Sequence, residues 1–478
     1  MEKPTELPWT VADRTSRRLC PDAVIVVPGI MGSTLYDTET QQTIWGLQPA
    51  WYARAWSPVG PGMTPLLVTP DELTGSRKRV KATGLLQFPA FLPILRGLEP
   101  YTGLVSMIKG VVADRSAMRV FPYDWRLSVQ HNAPLLAEVV QKHLAEWRAG
   151  AGGREAQVVL VAHSMGGLLC QALASISGAL DGVRTVVTLG TPFDGAAAAA
   201  VIFGSGAAAA LPSRRLREVA VTMPGLYDLL PRYRCVHEGN NVRRLTPSDV
   251  HALSDDICEQ GTAQDLARRA FDDHARRAIA RLPNQRALIG IEQPTVSSIT
   301  IVDGIATGQY YTFQSSEDGK LKYEPNGRIQ RFPGVGDGTV PRNSSLPLHK
   351  LRPLPLSQQH TTLAASDEAR TFVRDILLYG EADERDRLGD GHVGLELPDV
   401  VRAGETWNAK LTGIDPYHAT CTVVDANTNQ EVAHFDAELR DGATQVAITL
   451  PVQGLYRVRI DGGVTPVTQF VLALRGAV

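Results

Sequence analysis

Three short runs of apolar, largely β-branched residues constrain the fold of this chain more than any other feature. Ala23-Val24-Ile25-Val26-Val27 closes on Pro28-Gly29, Gln157-Val158-Val159-Leu160-Val161-Ala162 on His163-Ser164, and Val183-Arg184-Thr185-Val186-Val187-Thr188-Leu189 on Gly190-Thr191-Pro192. Runs this short, mostly apolar and bounded by turn residues, read as buried strands rather than helices. Between the first two, Ala133 to Arg148 repeats apolar residues at helical spacing and stops before Gly150-Ala151-Gly152-Gly153. Strands buried on both faces and alternating with helices imply a mostly parallel α/β sheet.

From about 195 to 285 the strand signal gives way to alanine-rich and then arginine-rich helical sequence, as expected of a cap or lid inserted above the sheet. Core-like sequence resumes at Ala287-Leu288-Ile289-Gly290-Ile291, and Thr371 to Tyr379 reads as the helix that closes the domain. Residues 1–380 are therefore assigned to the α/β domain and the charged stretch 381–394 to a linker. The short alternating runs of 395–478, separated by Asp-Gly and Asn turns, read as a small β-sandwich, a module that binds or braces.

At 478 residues the chain is long for one domain, in keeping with this division. A net charge of -2 with 21% charged residues gives no sign of a nucleic-acid partner. The first twenty residues carry charges throughout and lack the apolar core of a secretion signal, and no window is long and apolar enough to span a bilayer. Cys20, Cys170, Cys235, Cys258 and Cys421 are odd in number and without metal-ligand spacing. They fit a reducing compartment, and the expected location is cytoplasmic.

Ala162-His163-Ser164-Met165-Gly166-Gly167 follows a strand and opens onto Leu168-Leu169, the strand-turn-helix setting of a serine nucleophile elbow. A serine at the tip of so sharp a turn needs small residues two positions before and after it, here Ala162 and Gly166. Its hydroxyl needs a base held by a third group, and in α/β-hydrolases the acid and the histidine follow the serine in that order. Asp337, between glycines in Gly336-Asp337-Gly338-Thr339-Val340-Pro341, is the candidate acid, with Asp303-Gly304 a plain turn that competes for the role. His237, His251, His274, His349 and His360 follow Ser164, and only His349 and His360 follow Asp337 within the same domain. His360 sits just before the closing helix and is preferred, with His349 the runner-up. His163 is expected to pack or orient rather than act as the base.

Five ordered blocks together resemble the lecithin:cholesterol acyltransferase family, which includes phospholipid:diacylglycerol acyltransferases and lysosomal-type phospholipase A2 enzymes. They are Val27-Pro28-Gly29-Ile30-Met31-Gly32, Phe121-Pro122-Tyr123-Asp124-Trp125-Arg126, Ala162 to Gly167, Leu189-Gly190-Thr191-Pro192-Phe193-Asp194-Gly195 and Gly336 to Val340. The resemblance spans roughly Ala23 to Tyr379. It implies an α/β-hydrolase with a cap, cleavage of a lipid acyl ester, and transfer of the acyl group to water or an alcohol. By position it implies a triad of Ser164, Asp337 and His360 and an oxyanion hole built from the backbone N–H groups of Ile30 and Met165. It implies no organic cofactor and no metal. Relatives commonly carry a polar residue where this chain has Ile30, so substrate preference is expected to have shifted there.

Trp45, Trp51, Trp125 and Phe193 are candidates for the substrate pocket or lid. Trp45, Trp51, Tyr52 and Trp56 form an aromatic cluster that suits either peripheral contact with a membrane surface or packing of a loop onto the enzyme body. Gly195 to Leu211 reads as a lid with a small apolar face or as a buried helix. Asp124 and Arg126 are expected to pair near the pocket, with Trp125 packed. The expected function is serine-dependent lipid acyl-ester hydrolysis or acyl transfer, with a lipid acyl ester as substrate. The alternatives are peptide or amide cleavage by the same residues, and a silent hydrolase scaffold that recruits a protein partner through the carboxy-terminal β-module.

Overall fold

Six parallel strands form the central sheet, in the order Leu354–Leu356, Arg286–Gly290, Val183–Leu189, Val158–His163, Ala23–Val27 and Met118–Val120. The protein is described here by a computed structural model covering residues 18–47, 63–91, 98–204, 213–257, 261–315, 320–346, 351–381, 393–463 and 465–475. Every residue of Ala23–Val27 and Val158–His163 is buried, which accounts for the lack of polar alternation in these runs. Because the strands are parallel, the residues that follow them gather at one edge: Pro28-Gly29, Ser164, Gly190-Thr191 and the segment leading to His360. This carboxyl edge is where open α/β sheets place their ligands.

The helix expected from Ala133 runs from Val129 to Ala149. It starts earlier because Ser128 caps it, its hydroxyl oxygen accepting the His131 N–H at 3.1 Å. The closing helix, Asp367–Tyr379, is likewise capped by Ser366 and ends on Gly380 in the left-handed region, φ +81°. Among the described residues no helix is long and apolar enough to cross a membrane.

The cap departs from the expected all-helical segment of 195–285. The helices Ala197–Gly204, Ser213–Ala220, Pro247–Ser254 and Thr262–Arg277 are present. They are joined by a four-stranded sheet of Ile305–Gln309, Ser298–Val302, Arg234–Glu238 and Asn241–Arg244. Two of these strands lie beyond 285, so chain on both sides of the central strand Arg286–Gly290 builds the cap. Ala197–Gly204 is buried along its whole length; residues 205–211 lie outside the described residues.

The carboxy-terminal module is a two-sheet sandwich, as expected. One sheet orders Gly394–Glu396, Thr406–Thr412, Ala443–Thr449 and Glu438–Arg440; the other orders Val400–Arg402, Val467–Leu474, Gly454–Asp461, Thr420–Asp425 and Glu431–Asp436. Val393 already belongs to its core, with Leu395, Val446, Val458 and Val471, so the module begins slightly before 395. Most of the stretch read as a linker, 382–392, lies outside the described residues.

Candidate active site

Ser164 sits between the last residue of a strand and the first of the helix Met165–Leu173, at φ +53° and ψ -125°. Few residues other than glycine hold a positive φ, and the cost, about 1–3 kcal/mol, persists only where the surroundings fix it. The surroundings are tight. A Cβ on Gly166 would stand 2.5 Å from the Val27 carbonyl oxygen, and one on Gly29 2.8 Å from the Ser164 Cβ. The two glycines let the Pro28-Gly29 turn and the start of the helix close around the serine.

The His360 Nε2 lies 2.8 Å from the Ser164 Oγ, and its Nδ1 lies 2.7 Å from Asp337 Oδ2. All three side chains are buried. The carboxylate only accepts, so the Nδ1 proton points at Asp337 and the neutral ring leaves Nε2 to accept from the serine hydroxyl. The aspartate is itself fixed: its Oδ1 accepts the N–H groups of Thr339 at 3.0 Å and Val340 at 2.6 Å. Its carbonyl accepts the His360 N–H at 2.7 Å, which ties the two loops together by backbone as well as by side chain. Asp337 follows the short strand Val335–Gly336. His360 opens a one-turn helix after Leu354–Leu356. Asp303 takes no part: with Gly304 it forms the tip of the cap hairpin, both at positive φ. His237 and His274 belong to the cap, His251 pairs with Asp255, and His349 lies outside the described residues.

The loop Pro28 to Ser33 is held by aromatic side chains. Tyr123 OH donates to the Pro28 carbonyl at 3.0 Å, Trp45 Nε1 to that of Met31 at 2.8 Å, and Trp125 Nε1 to that of Ser33 at 3.2 Å. The Gly29 N–H donates to Tyr101 OH at 2.9 Å. The Tyr101 hydroxyl also pairs with His163 Nδ1, 2.8 Å away. Burial first, and the neighbouring His360 second, hold the His163 pKa well below its ordinary value. Among the described residues, no acceptor is taken by the N–H of Ile30 or of Met165, the latter a first-turn donor at its helix N-terminus.

An apolar cavity opens at the serine. Its walls include Ile30, Leu98, Pro192, Ala199, Leu229 and Val340. Of the expected pocket residues, Trp45 and Trp125 do not line it. They are buried beside each other, ring centroids 5.1 Å apart, behind the Pro28–Ser33 loop. Trp45 is also too buried to meet a membrane surface. Phe193 is buried away from the lining, and Trp51, Tyr52 and Trp56 lie outside the described residues. The small apolar face of the cap does line the cavity, through Ala196 and Ala199. Asp124 and Arg126 pair as expected, at 2.7 Å, and the buried guanidinium also meets Glu72 at 2.8 Å. This network clamps the segment around Leu67 and Glu72 to the sheet edge and does not reach the serine.

Sequence reasoning missed Tyr101, whose role depends on a contact 62 residues away. It also missed the walls formed by Leu98 and Leu229, which no motif marks.

Residues 99–297 match the profile of the lecithin:cholesterol acyltransferase family. The matched part holds three of the five blocks; the Val27 to Gly32 and Gly336 to Val340 blocks, and with them Asp337 and His360, fall outside it, so the profile covers less than the span from Ala23 to Tyr379. No curated protein matches the chain. The structure is similar to the crystal structure of the Tle4–Tli4 complex, at TM-score 0.50 and 14% identity over 76% of this chain and 98% of that one. It is also similar to Bacillus licheniformis lipase BlEst2 in its propeptide form, at TM-score 0.33 and 13% identity over 96% of this chain and 75% of that one. At 14% identity the likeness to the Tle4–Tli4 structure is one of fold.

Proposed function

We propose, from the α/β-hydrolase fold and the match of residues 99–297 to the lecithin:cholesterol acyltransferase profile, a serine-dependent lipid acyl-ester hydrolase or acyltransferase working through an acyl-enzyme. One observation carries this reading: the line from Asp337 through His360 to Ser164, with steps of 2.7 and 2.8 Å, ends on a serine facing an apolar cavity.

In this reading His360 takes the Ser164 proton as Oγ attacks the ester carbonyl, and later returns a proton to the leaving alcohol. Asp337 holds the imidazole in the required tautomer and stabilises its charged form. The negative charge on the tetrahedral oxygen is met by the N–H groups of Ile30 and Met165, fixed before the substrate arrives. Water, or an alcohol such as a lipid hydroxyl, then removes the acyl group from the serine. An apolar wall with no charged side chain among the described residues suits an acyl chain better than a peptide, which would leave its own polar backbone unpaired.

The test uses purified wild type and Ser164→Ala on mixed vesicles of phospholipid and a long-chain alcohol. Wild type is expected to release fatty acid or acylate the alcohol, and the variant to do neither. Equal release by both proteins, or none from acyl esters of any length, would refute the proposal.

A further inference from the structure

The strand Val467–Leu474 is buried on both faces. Val467, Val471 and Ala473 point into the core of the sandwich, whereas Phe470, Leu472 and Leu474 belong to the core of the hydrolase. The outer face of a free-standing sandwich is polar; this one is covered by the catalytic domain.

The polar groups of this junction converge on the candidate site. Gln293 and Gln359 are both fully buried. The Gln293 Oε1 accepts the Leu395 N–H at 3.0 Å and the Gln359 Nε2 at 3.1 Å, while its Nε2 donates to the Val393 carbonyl at 2.8 Å. Gln359 Nε2 donates also to the Leu395 carbonyl at 3.2 Å. The next residue after Gln359 is His360. Gln293 pairs by backbone with Gly336 and bridges to Asp337. One pair of amides thus joins the loop of the acid, the loop of the base and the first strand of the sandwich. Two further ties follow the same line: Gln358 Nε2 donates to the Pro466 carbonyl at 3.0 Å, and the Thr362 hydroxyl donates to Gln358 Oε1 at 3.0 Å, holding that side chain in place.

We propose that the carboxy-terminal sandwich is part of the active centre, and that Gln293 and Gln359 are positioning residues through which it holds Asp337 and His360 in line with Ser164. The physical ground is that a buried amide left without partners carries its full desolvation cost, so these bonds hold both loops to one strand. Loops carrying a base and its acid tolerate little movement, since a displacement of about 1 Å costs on the order of a hundredfold in rate. The inference rests on the serine-hydrolase reading above and adds to it the role of the module.

The experiment compares full-length wild type, Gln293→Leu and Gln359→Leu by turnover of a short-chain nitrophenyl ester and by the rate of fluorophosphonate labelling of Ser164. Neither variant touches the cavity wall. Both are expected to lose about tenfold to a hundredfold in kcat and in labelling rate, with KM within about threefold of wild type. A role confined to stability would leave both rates unchanged in folded protein below its melting temperature. Folded variants that label and turn over within about twofold of wild type would overturn the proposal. If the glutamine variants do not fold, Thr362→Val decides: a labelling rate reduced by about threefold or more supports the proposal, and a wild-type rate overturns it. A wild type that resists labelling would refute the serine-hydrolase reading itself, a result separate from normal labelling in the variants.

Discussion

At Ser164 the backbone conformation and the chemistry make opposite demands. The φ of +53° favours glycine, yet the proposed mechanism needs the hydroxyl as its nucleophile. Ser164→Gly and Ser164→Ala are both expected to lose at least about a thousandfold in ester turnover. The glycine variant is expected to be the more stable of the two by about 1 kcal/mol, because it relieves the strain that alanine keeps; urea unfolding midpoints check this. Ile30 offers a different separation. In the proposed mechanism it contributes only a backbone donor, so Ile30→Ala is expected to keep turnover of a short-chain ester within about threefold while shifting acyl preference toward bulkier chains, read by competition among esters. Equal preference in both proteins would mean that this side chain does not shape the cavity. At this scale residue type and neighbours were enough to single out three side chains that the fold brings into hydrogen-bond contact: Ser164 between small residues, Asp337 between glycines, His360 ahead of a helix. It misled at Trp45 and Trp125, whose indole N–H groups hold loop carbonyls from behind the site, because an amphipathic ring suits a pocket, an interface and a buried anchor equally well.

The cap shows how elements are joined and where they are sensitive. The helix Thr262–Arg277 presents His274 to the Asp228 carbonyl, to which its Nε2 donates. Burial, with the charge of Arg277 beside it, depresses the His274 pKa to about 3. A depressed folded-state value means that the unfolded chain binds the proton first. Stability is therefore full above the ordinary histidine value near 6.5 and falls toward 3, by up to about 1.4 kcal/mol per pH unit from this residue. His274→Gln keeps a donor and removes the titration. The stability difference between wild type and variant, measured in urea at pH 7, 6 and 5, is expected to move in favour of the variant as pH falls; a constant difference would show that His274 does not titrate in this way. The cap hairpin Ser298–Gln309 was legible in retrospect, since Asp303-Gly304 is the turn its two alternating strands require. Weighing that aspartate only as a rival acid hid the strands on either side of it. The paired strands Arg234–Glu238 and Asn241–Arg244 were masked by the arginine-rich helical sequence around them.

For the molecule as a whole, the question is whether the sandwich is an appendage. Phe470 and Leu472 lie in the hydrolase core, so the two modules are expected to unfold in one calorimetric transition. Phe470→Ala is expected to destabilise that single transition by about 3–5 kcal/mol. Two transitions, with only the smaller one shifted by the substitution, would contradict a shared core. The run Phe470-Val471-Leu472-Ala473-Leu474, apolar at consecutive positions, was a readable sign of a strand covered on both faces; what covers it was not readable, because register and docking depend on contacts distant in sequence. The parallel order of the central sheet followed from its buried runs, whereas the meeting of Ser164 with His360, 196 residues later, is a property of the folded chain alone. The most direct test of the central claim is mass spectrometry of protein quenched during turnover of a long-chain nitrophenyl ester. An acyl adduct on the peptide carrying Ser164, absent from Ser164→Ala, is the predicted result; steady ester turnover with no adduct at Ser164 and undiminished rate in the variant would contradict the account.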